Sequence, residues 1–166
     1  MMRNALRKAA GWRLCLALLV LTAAPARAGD AEAKVLQIIN QARVAKGCPA
    51  LVTNPALTAA AQVQSDDMAT KNFFGHVDKD GHRFTYRAKA QGYQYRLIGE
   101  NIAAGQKTAQ EVARDWLNSP PHRRNILNCN FLETGIALAY QADDRPIDGN
   151  PVPLYSYWTQ VFGLSK

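Results

Sequence analysis

Histidine and cysteine each occur three times in 166 residues, and the patterns that usually announce an enzyme are missing. There is no HExxH pair to hold a catalytic zinc on one helix and no GxSxG elbow to present a nucleophilic serine, which removes the commonest zinc-protease and serine-hydrolase arrangements. Asp78 and Asp80 begin like a calcium loop, but the later oxygen ligands are absent, so that reading is rejected. No repeat, low-complexity tract or interdomain linker interrupts the chain. Nor does any basic stripe interleaved with aromatics appear, which removes the usual nucleic-acid footprint. The longest apolar run, LCLALLVLTAA, is short for a membrane span.

That run is instead read as part of a leader. Residues 1–28 combine a basic segment, the apolar run and the small-residue site Ala26-Arg27-Ala28, which together predict a secretory signal peptide cut after Ala28. Cys15 lacks the small residues a lipoprotein site needs, and a retained N-terminal anchor is the alternative. Five of the twenty Lys and Arg residues, and none of the thirteen acidic ones, lie in this leader. The remaining 29–166 therefore carries a net charge of only +2, and the basic overall balance says nothing about partners. A chain of that length fits one domain with its own hydrophobic core. Cys48 and Cys129 are left in an oxidising compartment, where a disulfide is the default and a cysteine nucleophile the weaker reading.

The apolar spacing predicts helices over about 30–46 and 55–71, the second opened by an Asn54 cap with Pro55 at its first position. A turn-rich stretch, NFFGHVDKDGHRF, follows; Phe73 and Phe74 are expected to anchor it and so fix His76 on a surface cleft, and a short helix then ends near Gly92. Thr108 and Glu111 form a capping box for a helix that Pro120 and Pro121 stop near Asn118. Ser119 is placed to cap a second short helix with His122 at its third residue, where the positive helix end favours neutral imidazole. TGIALAYQ and PLYSYWTQVFG alternate as strands joined by the polar segment ADDRPIDGNP. Helices first and strands last indicate an α+β domain whose helices pack on an antiparallel sheet.

Two positions stand out chemically. Glu100, between Gly99 and a run of small apolar residues, needs a partner if buried; a structural carboxylate and a cleft acid are both consistent with it. On its own residues His122 reads first as a packed or loop-capping helix residue and only second as a ligand.

In order, GENIAAG, WLNSPPHRRNIL and YWTQVFG resemble the CAP superfamily, also called SCP-like or cysteine-rich secretory, antigen 5, pathogenesis-related 1 domains, in its short secreted bacterial branch. The resemblance spans about residues 34–163. It implies an α-β-α sandwich, a central antiparallel sheet flanked by helices, with a central cleft that in many members is lined by two histidines and two glutamates able to hold a divalent cation. By motif His76 matches the first histidine and Glu100, in Gly99-Glu100-Asn101, the first glutamate. Tyr157 stands where the later histidine is expected and Ser119 where a glutamate is often found. His122 is then expected to supply the missing imidazole.

The expected cleft set is thus His76, Glu100, Asn101, His122 and Tyr157, with His76, Glu100 and His122 as metal ligands or as candidates for acid-base catalysis. Such ligands suit zinc first, magnesium or calcium less. Three functions follow from this: binding of a small ligand, lipid or cation; hydrolysis of a protein or cell-wall substrate by the same groups; and a non-catalytic partner-binding role. The expected setting is periplasmic or extracellular, with a monomeric chain, no membrane span after cleavage and no nucleic-acid partner. Tyr93, Tyr95, Tyr155 and Tyr157 read either as lipid-contacting aromatics or as strand packing.

Overall fold

The computed structural model describes residues 29–147 and 149–166; the expected signal peptide, its expected cleavage site and Cys15 lie outside them. Helix α1 spans Asp30–Ala45 and buries Val35, Ile39 and Arg43, successive positions four apart on one face. A short strand β1, Val52–Thr53, leads into α2, Pro55–Thr70, which Asn54 caps by accepting from the backbone N–H groups of Ala56 and Leu57. Leu57, Ala60, Ala61 and Met68 are buried on the predicted face. After the turn segment come α3, Phe84–Ala90, and β2, Tyr95–Ala104. The expected capping box of Thr108 and Glu111 opens α4, Ala109–Asn118, and α5 runs Pro120–Ile126. Strands β3, Glu133–Tyr140, and β4, Ser156–Ser165, complete the chain.

The sheet order is β1-β3-β4-β2, antiparallel except for the short parallel pairing of β1 with β3. Alternation along the strands sorts the core into two layers. On one face Ala103, Ile136, Trp158 and Phe162 pack with Val35 and Ile39 of α1, Val112 and Trp116 of α4 and Ile126 of α5. On the other, Ala137 and Val161 meet Leu57, Ala60 and Ala61 of α2 and Ala88 of α3, while Ile102, Ala139 and Tyr157 meet Met68. This is the expected α-β-α arrangement. Small residues set its depth: a Cβ at Gly135 would lie 2.0 Å from the Thr58 nitrogen, so α2 rests directly on the β3 backbone.

Two expectations are revised. Phe74 is 45% exposed, leaving Phe73 to pack against the core. The long strand β2 was not recognised, because GENIAAG carries too few β-formers to read as one.

Cys48 and Cys129 form a disulfide, closing 81 residues. Beside it the fully buried Arg43 donates to the carbonyl oxygens of Pro49 (3.0 Å), Asn128 (3.0 Å), Phe131 (2.7 Å) and Ile126. One guanidinium thereby ties α1 to the end of α5 and the start of β3.

Candidate functional site

The site forms at the outer edge of β2, where the α2–α3 turn reaches it from one face and α5 from the other. Asp78 shapes the turn: its Oδ1 accepts from the backbone N–H groups of Asp80 (3.0 Å) and His82 (2.8 Å), and its own N–H donates to the His82 carbonyl (3.0 Å). Arg87 of α3, buried, holds both sides of the turn by donating to the carbonyl oxygens of His76 (3.2 Å) and His82 (3.1 Å). His76 is therefore fixed by its backbone while its side chain stays 44% exposed.

Beneath it lies Glu100, whose side chain is fully buried. Oε1 faces His76 Nδ1 at 2.8 Å and Oε2 accepts from Arg87 Nη2 at 2.8 Å. The expected partner of Glu100 is thus both a cation and an imidazole. Because Nδ1 faces a carboxylate, it carries a ring hydrogen, and Nε2 is the ring nitrogen that Glu100 leaves unengaged.

His122 comes from the other face, at the third residue of α5. Asn101, fully buried, donates to the His122 carbonyl (3.2 Å), while Asn125 donates to the Glu100 carbonyl (3.1 Å) and to Asn101 Oδ1 (2.8 Å). This asparagine pair locks α5 to β2, so Asn101 positions the cleft from below. The His122 pKa is lowered, first by burial and then by the charge of His76. The direction matches the sequence expectation, but the causes are packing and charge. Ser119, the expected cap of α5, makes no side-chain capping bond.

Tyr157 is elsewhere. It pairs with Ala104, four positions along from the Glu100–Val161 pair, or about 13 Å of strand. Fully buried, it donates its hydroxyl to Asp144 Oδ2 at 2.9 Å; burial and that carboxylate push its pKa well above the ordinary phenol value.

As for metal ligation, both oxygens of Glu100 are engaged and Arg87 already neutralises it. Among the described residues, the three donor atoms found within 4.8 Å of one another belong to Asp78, Asp80 and His82. The Asp78 oxygens, however, organise their own turn, and Arg87 Nη1 lies 3.9 Å from Oδ2. A cavity of about 570 Å³ adjoins the turn, lined by Phe73, Phe74, Lys79, Ile147 and Leu154 among others.

Arg87, Asn125, Asp78 and Arg43 were missed from the sequence. Only Arg43 left a signal, an arginine continuing the Val35, Ile39 stripe.

Among solved structures, the chain resembles an outer surface protein from Borrelia burgdorferi, with a TM-score of 0.71 at 18% identity, covering 82% of this chain and 94% of that one. An extracellular protein containing a SCP domain from Bacillus anthracis gives a TM-score of 0.65 at 26% identity, covering 81% of this chain and 41% of that one. In sequence, the chain is 36% identical over 141 residues to the uncharacterized protein YkwD of Bacillus subtilis, covering 85% of this chain and 50% of that protein. The chain spans half or less of the length of the curated relatives it matches. The model of the CAP, cysteine-rich secretory protein, family matches residues 36–162, which takes in the turn, β2, α5, β3 and most of β4, and the chain belongs to that family.

Proposed function

We propose that the cleft between the α2–α3 turn and α5 binds a small ligand or divalent cation through the exposed edges of His76 and His122. The observation that carries this reading is the His76–Glu100–Arg87 chain, in which a buried, doubly engaged carboxylate fixes one tautomer of a half-exposed imidazole. A histidine serving only to fill space needs no such support. Glu100 acts here as the positioning partner of His76 and not as a direct ligand. Two imidazoles suit zinc, which would take its remaining positions from water or ligand; magnesium and calcium prefer oxygen donors. Bound zinc would supply Lewis acidity to a ligand held there. The protein acts outside the cytoplasm, in the periplasm or medium, a placement supported by the leader-like N-terminus, the disulfide and the extracellular SCP-domain relative.

Calorimetric titration with zinc chloride tests this reading. Saturable binding in the native protein, lost in both His76→Ala and His122→Ala, is the expected result. Equal affinity in His122→Ala contradicts it.

Hydrolysis is the second reading, favoured by one observation: a carboxylate-oriented imidazole is also the geometry of a general base. Turnover of peptides or peptidoglycan fragments that falls in Glu100→Gln, with folding retained, supports it. No turnover by the native protein contradicts it.

A further inference from the structure

Two residues other than glycine hold a positive φ among the described residues, and they differ in kind. Asn72, at 51°, belongs to a type whose short polar side chain tolerates that region; Tyr155, at 63°, is bulky and meets a steric penalty there. The conformation of Tyr155 is enforced by its neighbours. Its N–H donates to Asp144 Oδ2 (2.8 Å), its carbonyl accepts from the Gln141 N–H (2.8 Å), and the Ser156 N–H reaches back to the Leu154 carbonyl (2.8 Å), closing a three-residue turn of the rarer, strained hand about it. Glycine would adopt the same turn without strain, so a ring at this position costs the fold stability.

That ring is not buried in the core. It is 40% exposed, and with Tyr140, 70% exposed, it lines a cavity of about 490 Å³ together with Leu138 and Leu154. The buried tyrosines give their hydroxyls to carboxylates, Tyr93 to Glu133 and Tyr157 to Asp144, whereas those of Tyr140 and Tyr155 have no partner among the described residues. Ser156 and Lys107 add a hydroxyl and an ammonium to the lining, and no acidic side chain belongs to it. Ser156 Oγ donates to the Gln106 carbonyl (2.8 Å) and keeps its acceptor capacity. The Glu111 carboxylate, close in sequence to Lys107, is taken up by the backbone N–H groups of Lys107 and Thr108 at the start of α4.

The backbone of the Leu154–Ser156 wall is already engaged. Leu154 and Tyr155 donate their N–H groups to Asp144, Ser156 donates its own to Leu154, and the Ser156 carbonyl accepts from Gly105 (2.9 Å). A peptide strand therefore finds no main-chain partner on that wall, and a wholly apolar chain would cover the hydroxyls and the ammonium without pairing them. A ring with C–H faces, hydroxyl edges and a negative charge matches what the cavity offers.

We propose that this cavity binds a pyranose residue bearing a carboxylate, such as a uronic acid unit of a polysaccharide, its C–H face on the Tyr140 and Tyr155 rings, its hydroxyls to the free phenol groups and Ser156, and its carboxylate to Lys107. No residue of the His76–His122 cleft lines the cavity, so the proposal does not rest on the reading of that cleft.

The test is a titration of the protein, followed by calorimetry and ¹H NMR, with trisaccharides of glucuronic and of galacturonic acid and with their methyl esters as neutral counterparts. Saturable binding of at least one acid, shifting the Tyr140 and Tyr155 ring signals, is expected. Its methyl ester should bind about fivefold more weakly, the ratio for losing one solvent-exposed ion pair, and Lys107→Gln should erase that difference. Tyr155→Gly should abolish binding without lowering the thermal midpoint, because the strain is released, while Tyr155→Ala keeps the strain and should lower it. Absence of binding by either acid at millimolar concentration, ring signals that stay still, equal binding of acid and ester, or tighter binding of decaproline or laurate at the same rings overturns the proposal. So does a midpoint lowered as far by Tyr155→Gly as by Tyr155→Ala, which would give the ring a packing role.

Discussion

At the scale of residues, the proposed cleft depends on one buried ion pair and the imidazole it holds. Glu100 and Arg87 have side chains 0% and 2% exposed, so removing one leaves the other charge without its partner inside the protein. Glu100→Ala is expected to destabilise the fold by about 3–5 kcal/mol, read by urea denaturation. His122 offers a gentler probe. Its folded pKa lies below the ordinary value of about 6.5, so the unfolded chain takes up a proton first as pH falls. The stability associated with neutral His122 is present above that ordinary value and is lost as pH falls toward the folded pKa. His122→Gln should flatten this part of the stability profile. In His76→Ala, the His122 NMR titration midpoint should rise part of the way toward 6.5, because the repelling charge is gone while burial remains. A midpoint unmoved in His76→Ala would separate the two imidazoles.

At the scale of elements, legibility in the sequence followed how local each determinant is. The Asn54 cap, the Thr108–Glu111 box and the Pro120 start involve neighbours in the chain, and all three helices begin where their residues predict. His76 and Glu100 stand out in the sequence because their motif fixes them, and the structure brings them into contact at 2.8 Å. Arg87 and Asn125 do not stand out, since their partners lie in other elements and a lone arginine or asparagine carries no period. The partner of Tyr157 was illegible for the same reason: its motif position marks a strand residue, while the carboxylate that takes its hydroxyl, Asp144, lies thirteen residues earlier in a loop. The contact of α2 with β3 is equally non-local and depends on Gly135, where any Cβ meets helix backbone and not a movable side chain. Gly135→Ala should cost about 1–3 kcal/mol or more, seen as a lowered denaturation midpoint. An unchanged midpoint would show that α2 can move away from the sheet freely.

For the whole molecule, the cleft at β2 is braced by contacts that lie far from it along the chain. The Arg43 cluster and the Cys48–Cys129 disulfide join α1 to the end of α5, the helix that carries His122. Reduction of the disulfide should lower stability by about 4 kcal/mol on the chain-entropy account, measured by denaturation with and without reductant. The cleft itself is tested most directly by ¹⁵N NMR of the three imidazoles during zinc titration. The account predicts that His76 and His122 shift together with one midpoint, that His76 keeps its hydrogen on Nδ1, and that His82 stays unmoved. A shift of His82 with Asp78 and Asp80, or movement of one cleft histidine without the other, would contradict it.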